Sequence, residues 1–283
     1  MSFDSDTGYR LLDAGRGERL EQWGPYRLRR PEPRAGMGRA LPAEQWSQIH
    51  AQYLGEAGHG HWERLIPDLP ERWTIAHGGI TLVVKLAPFK HTGVFPEQAD
   101  HWRWMAAVSA DRPLRVLNLF AYTGGATMAL ARAGHHVTHV DASKPALTWA
   151  RENAAANQLA PDAIRWIQDD ALTFVRRELR RGKSYDAAIL DPPAFGRTPD
   201  GRVWRLQDQL KELLESVTEL LPQPAFLLIN DYSRDAEQHP LASLLASTIR
   251  AKGTIESGRL ELPLPAGRVL DTGAYVRWRA GKA

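Results

Sequence analysis

The chain has 283 residues, 43% hydrophobic and 24% charged, with 36 Lys and Arg against 33 Asp and Glu. That length can hold one large domain or two modest ones with a sizeable core, and no apolar run approaches the about 18 residues of a membrane-spanning helix. Cysteine is absent, which excludes disulfides, thiolate metal sites, iron–sulfur clusters and every cysteine nucleophile.

The opening MSFDSDTGYR is polar and acidic and lacks the basic, apolar and small-residue regions of a signal peptide, so a cytoplasmic location is expected. Up to about residue 88 the chain is rich in Gly, Pro and Trp. It carries short β-like runs at Tyr26-Arg27-Leu28 and Trp73-Thr74-Ile75, a helix near Ala43–Tyr53, and its best strand at Ile80–Leu86, ended by Pro88. This reads as a small β-rich accessory domain over residues 1–88, with a second domain over 89–283. Between Arg27 and Arg39 five arginines, Arg27, Arg29, Arg30, Arg34 and Arg39, stand with a single acid, Glu32. Further clusters follow at Arg176, Arg177, Arg180, Arg181 and Lys183, and at Arg197, Arg202 and Arg205. With ten tryptophans in the chain, arginine interleaved with aromatics suits a nucleic-acid binder, and Arg29 and Arg30 are expected to reach phosphates. Solvated helix faces and core tryptophans are the alternative. His59-Gly60-His61 with His50 or His77 matches no helix-borne metal motif, so no metal is expected. His135, His136 and His139 are expected at a surface or sheet edge.

From about Leu114 the rhythm changes to alternating strand and helix. Strands are predicted at Arg115–Leu119, Val137–Val140, Ile164–Ile167, Ala187–Leu190 and Ala225–Ile229. Helices are predicted up to Ala133, over Lys144–Gln158, Ala171–Arg181 and Leu206–Leu221, and near Leu241–Lys252. Two last strands, Thr254–Leu262 and Ala274–Trp278, have no helix between them. Such alternation implies an α/β fold, a doubly wound parallel sheet with right-handed crossovers, here with an antiparallel hairpin at one edge. Ligands bind such sheets at the carboxyl ends of the strands.

The strand ends carry the chemistry. After the first strand comes Asn118-Leu119-Phe120-Ala121-Tyr122-Thr123-Gly124-Gly125, whose glycines permit positive φ and close approach of a ligand or serve packing alone, without the dinucleotide fingerprint GxGxxG. The second strand ends in Asp141-Ala142, placed to accept from ribose hydroxyls or to cap the next helix. The third ends in Asp169-Asp170-Ala171, where a carboxylate can accept from an adenine amino group or cap a helix. The fourth ends in Asp191-Pro192-Pro193-Ala194-Phe195. Consecutive prolines fix an extended turn, leave carbonyls free beside a carboxylate, and place an aromatic to stack on a planar base.

This ordered set resembles the class I S-adenosylmethionine-dependent methyltransferases. More narrowly it is similar to the bacterial 23S rRNA methyltransferases that make 5-methylcytosine or 7-methylguanine. The segment Phe89–Gln98, with Gly93, Phe95 and Gln98, resembles the Gly-x-Phe-x-x-Gln element of that family, and the resemblance runs from about residue 89 to the C-terminus. Residues 1–88 do not resemble the PUA domain that many members carry. The resemblance implies a Rossmann-like fold, S-adenosyl-L-methionine as cofactor and RNA, ribosomal above all, as partner. It places Thr123, Gly124 and Gly125 at the methionine end of the cofactor, Asp141 at its ribose and Asp170 at its adenine. Asn118, Phe120, Ala142, Ala171 and Asp191 complete that set, and Phe95 and Gln98 close over the cofactor from the interdomain side. Asp191, Pro192 and Phe195 would face the acceptor base. One departure redirects the chemistry: members that methylate cytosine C5 carry a Cys after the fifth strand, where this chain has Asn230-Asp231-Tyr232-Ser233. Methylation at a nitrogen, guanine N7 or an exocyclic amine, is therefore expected. A methyltransferase for a small heterocycle and a non-catalytic RNA-binding protein are the alternatives.

Overall fold

The computed structural model describes residues 8–55, 59–109, 112–197, 203–233 and 240–281. Arg202 of the third arginine cluster and the first seven residues of the opening lie outside these. The chain divides into two units: one takes the residues up to Ala99 together with Glu261–Thr272, the other Asp100–Leu260 and Gly273–Ala283. No helix among the described residues is long and apolar enough to cross a membrane.

In the first unit five strands, β1 (Tyr9–Gly15), β2 (Glu18–Trp23), β3 (Tyr26–Pro31), β4 (Ala51–Leu54) and β5 (His61–Arg64), pair in that order. β3 and β4 run parallel and the other pairs antiparallel. β6 (Arg72–His77) and β7 (Ile80–Lys85) form a separate hairpin. The helix expected to run to Tyr53 ends sooner: α1 covers Ala43–Ser47, and the residues beyond it are drawn into β4 by partners on both sides. β1 and β2 escape a hydrophobic pattern because their buried positions include charges, Asp13, Arg19 and Glu21.

Those charges satisfy one another. Arg30 is fully buried and forks onto Glu21 at 2.5 and 2.9 Å, while the Tyr9 hydroxyl donates to the same carboxylate at 2.9 Å. Arg19 and Arg30 hold the Glu21 carboxyl down, to about 2, against the upward pull of its burial. The expectation that Arg30 reaches phosphates is thus wrong: its guanidinium is a structural ion, and removing one partner of such a pair typically costs about 3–5 kcal/mol. Arg29 binds Gln52 and Glu18, and Arg39 pairs with Glu18 above the Trp46 ring. Asp13, also buried, accepts from the backbone of Ala14, Ala40 and Leu41, from Trp46 Nε1 and from Arg268.

The second unit opens with α2 (Ala99–Val108) and then follows the predicted alternation. The series is β8 (Arg115–Leu119), α3 (Gly125–Arg132), β9 (His136–Asp141), α4 (Lys144–Ala156), β10 (Ile164–Gln168), α5 (Ala171–Arg180) and β11 (Ala187–Leu190). A short hairpin, β12 (Phe195–Arg197) and β13 (Val203–Arg205), precedes α6 (Leu206–Glu219), β14 (Phe226–Asp231) and α7 (Leu241–Thr248). β15 (Gly253–Pro263) and β16 (Val269–Ala280) finish the chain. The sheet order is β10-β9-β8-β11-β14-β16-β15. The first five strands are parallel and β16 runs antiparallel to β14, so the fold is the expected Rossmann-like α/β sheet with added edge strands. β11 is buried at all four positions, which is why Ala-Ala-Ile-Leu shows no polar alternation. α4 and α5 start where caps allow: Ser143 accepts from the Ala146 amide and Asp170 from the Thr173 amide. α7 stops four residues short of the expected Lys252, because Ile249 turns extended and Gly253 begins β15 hard against Trp278. α2 and the β12–β13 hairpin were not foreseen.

The strands are in flush register, with Leu119 opposite both Val140 and Leu190, so the segments after β8, β9 and β11 emerge at one edge. The order reverses between β8 and β11, the switch point where ligands of doubly wound sheets bind. His135 and His139 do not lie at a surface: both are buried, although His136 is exposed. β9 is an interior strand, with β8 and β10 on either side.

Candidate active site

The loop after β8 is bent by three residues in the left-handed region, Phe120 (φ 55°), Tyr122 (φ 50°) and Gly124 (φ 84°). For the two aromatic residues this conformation is costly and must be held from outside. The surroundings supply the restraint. Ala121 N donates to Val140 O at 3.1 Å, Tyr122 N to Asp141 Oδ2 at 2.8 Å, and Asn153 Nδ2 to Thr123 O at 2.8 Å. Beneath the loop, Asn118 Nδ2 donates to Thr127 Oγ1, which meets His139 Nδ1, each at 2.9 Å. Burial pushes the His139 imidazole down to about 3, so the ring is neutral and can serve this chain. The two glycines act differently from one another. Gly124 is needed for its positive φ, whereas a Cβ at Gly125 would stand 2.5 Å from the Trp102 ring. Helix packing, rather than a ligand's approach, is what requires glycine there.

Asp141 stands at the end of β9. Its Oδ2 takes the Tyr122 amide and its Oδ1 the Ser143 amide, both at 2.8 Å, while burial raises the carboxyl above its usual range. A carboxylate offers about four lone-pair sites, so two backbone donors leave room for a pair of ribose hydroxyls. Ala142 follows it, half-buried. At the end of β10 the two acids part company: Asp169 pairs with Arg177 at 2.6 Å, and Asp170 Oδ1 caps α5 through the Thr173 amide at 2.9 Å. Ala171, the first residue of that helix, is buried.

At the end of β11, Asp191 accepts from Asn230 Nδ2 at 3.0 Å. The carbonyls after it are not all free, contrary to expectation. Trp204 Nε1 takes Pro193 O at 2.8 Å, and Leu206 N takes Ala194 O at 3.2 Å. Trp204 also packs on Phe120, ring centroids 4.9 Å apart, so one tryptophan ties the proline turn to the loop after β8. Pro192 is buried, and Phe195 is 55% exposed on the β12–β13 hairpin. Asp231 turns back onto Ser233, accepting from its amide and hydroxyl.

The expected residues Asn118, Phe120, Thr123, Gly124, Gly125, Asp141, Ala142, Asp170, Ala171, Asp191, Pro192 and Phe195 thus all fall at or after the carboxyl ends of β8, β9, β10 and β11. Asn118 supports the loop from within. Phe95 and Gln98 belong to the first unit, around a 3-10 turn at Pro96–Gln98 where Gln98 N donates to Phe95 O at 3.1 Å. Trp102, Thr127, His139, Asn153 and Trp204 were missed as supports. Each works through tertiary contact alone, so no local pattern announces it.

A parallel sheet of this order, with acids at the ends of adjacent strands and a strained loop at the switch point, defines a Rossmann-like α/β fold. The family model described as S-adenosylmethionine-dependent methyltransferase matches residues 40–265, and the chain belongs to that family. A crystal structure of the SAM-dependent methyltransferase from Agrobacterium tumefaciens is similar at TM-score 0.92 and 41% identity, over 99% of this chain and 92% of that one. SMU.776 complexed with SAH shares the fold at TM-score 0.75 and 20% identity, over 96% and 76% of the two chains. Ribosomal RNA large subunit methyltransferase I of Photobacterium profundum is 36% identical over 130 residues, 46% of this chain and 32% of that relative. The match thus spans about a third of the curated relative's length. Two lone-pair sites left on Asp141 fit the ribose of the cofactor that gives this family its name.

Proposed function

We propose that this enzyme methylates RNA, ribosomal RNA above all, at a base nitrogen. The observation that carries the reading is the pairing of Asp191, held by Asn230 at 3.0 Å, with the exposed ring of Phe195. A planar base can stack on that ring and give its N–H groups to that carboxylate. When bound, the cofactor supplies an electrophilic methyl group on a sulfonium. Asp141 would hold its ribose, Asp170 its adenine, and Thr123, Gly124 and Gly125 its methionine end. The family resemblance adds Phe95 and Gln98 to that set. The position that carries Cys in the cytosine-C5 enzymes is filled here by the Asn230–Ser233 segment, and no thiolate exists elsewhere in the chain to add to a pyrimidine ring. Guanine N7 is nucleophilic unaided, and an exocyclic amine needs only an aligned lone pair and a proton acceptor. For these targets the protein's part is positioning the nucleophile in line with the methyl group and sulfur. The name of the Photobacterium relative agrees with a ribosomal substrate.

The test is transfer of labelled methyl from S-adenosylmethionine to total RNA from cells lacking the gene, with a metabolite extract alongside. Label should enter ribosomal RNA as a nitrogen-methylated base and fall about 100-fold or more with Asp191→Ala, the scale of losing an oriented polar group in a transition state. A 5-methylcytosine product, or label confined to metabolites, would overturn the reading.

A further inference from the structure

Asn230 lies one residue before the end of β14 and is fully buried. Its amide nitrogen is committed to Asp191 Oδ1, so its oxygen must face the other way. That oxygen and both ring nitrogens of His101 are buried and find no aligned hydrogen bond among the described residues. His101 is on α2, 2% exposed, edge-on to Tyr275 of β16 with ring centroids 4.6 Å apart. Burial pushes its imidazole down to about 3, with the Arg277 charge in the same direction; Asp100 and the nearby Asn230 side chain oppose. The ring is therefore neutral, with one N–H to give, and Asn230 is the side chain in reach to accept it.

Two buried polar groups in imperfect alignment are a liability to the fold, since a desolvated donor or acceptor without its partner costs about 1–3 kcal/mol. Apolar side chains would pack there at no such cost. What the pair provides is a reading of the carboxamide's orientation. An Asn230 flipped by half a turn would set its oxygen against the Asp191 carboxylate and its NH2 against the imidazole. A donor at His101 disfavours that state.

We propose that His101, acting through Asn230, is a positioning residue that fixes the Asp191 carboxylate in one rotamer before the acceptor arrives. The inference rests on the reading of Asp191 as the group that meets the acceptor base. It makes the site preorganised rather than assembled by substrate, the condition under which oriented polar groups are most effective.

Two variants separate the links: Asn230→Leu removes the contact to Asp191, and His101→Phe keeps a ring against Tyr275 but loses the N–H. With labelled S-adenosylmethionine and total RNA from cells lacking the gene, kcat should fall about tenfold or more in Asn230→Leu and by a smaller factor in His101→Phe. KM for the cofactor should stay unchanged in both. The combined variant should be no slower than Asn230→Leu alone, as for groups acting in series, and His101→Gln, which restores a donor, should recover part of the loss. Multiplying losses, or an unchanged kcat in Asn230→Leu, would overturn the proposal. Histidine-selective 15N NMR reads the link without turnover: one imidazole N–H should be protected from exchange and lose that protection in Asn230→Leu. An imidazole indifferent to that substitution would equally overturn it. Full transfer by Asp191→Ala would instead defeat the acceptor reading, with the imidazole signal still reporting whether the His101–Asn230 link exists.

Discussion

Glu97 is a buried acid whose carboxyl is pushed up to about 7 by its desolvation, against the opposing charges of Arg19 and Arg30. Because its folded value lies above the unfolded one, the folded state holds a proton that the unfolded state releases. The stability this gives is fully present below the ordinary value of 4.5 and is lost as pH rises through about 7. Glu97→Gln should therefore gain on the natural protein at pH 8 by about 3 kcal/mol, with the gain shrinking toward pH 5. Urea unfolding at the two pH values measures it, and an equal difference at both would refute it. Glu21 behaves oppositely: held down to about 2, it stabilises above its ordinary value and loses that contribution only as pH falls through about 2. At this scale the sequence was informative where a residue type is tied to a strand end, as with Asp141 and Asp191. It was uninformative where burial decides, as with Arg30 and His139, because nothing local to either residue reports the partner that encloses it.

Elements were legible in proportion to how far their own residues determine them. β8, β11 and β14 announced themselves as short apolar runs and α4 and α5 by their caps, but β1 and β2 hide their pattern behind buried ions. β12 and β13 are three-residue strands, too short to carry a period. α3 and α2 show how one element constrains another. The Trp102 ring occupies the space a Cβ at Gly125 would need, and an aromatic ring cannot swing aside as a flexible chain end can. Gly125→Ala should cost about 1–3 kcal/mol in chemical denaturation, the range for overpacking. It should also weaken cofactor binding, since the loop joined to α3 must shift. Trp102→Leu in the same chain should restore part of both. If Gly125→Ala alone is as stable as the natural protein, the packing account of this glycine is wrong.

At the scale of the molecule, the arginine clusters suggested a phosphate-binding surface, yet many members are spoken for. Arg177 pairs with Asp169, Arg176 with Glu212 and Arg181 with Glu178, although Arg176 and Arg181 remain solvent-exposed. An RNA substrate still imposes a signature that a small heterocycle does not. Raising salt from 50 to 200 mM should increase KM for RNA steeply, by about tenfold or more if several phosphates are neutralised, and leave KM for the cofactor nearly flat. A salt-indifferent KM for the nucleic acid would count against a polyanionic acceptor.

The ion pair between Asp13 and Arg268 has a bearing on biosynthesis. The first unit draws on Glu261–Thr272 as well as on the residues up to Ala99, so it is not complete when its leading segment leaves the ribosome. At about 5–20 residues per second, on the order of ten seconds pass before Arg268 is made. Through that interval the nascent sheet carries a carboxylate whose counter-ion does not yet exist. Every strand of the seven-stranded sheet except β16 is translated in the meantime, and the missing charge arrives only after them.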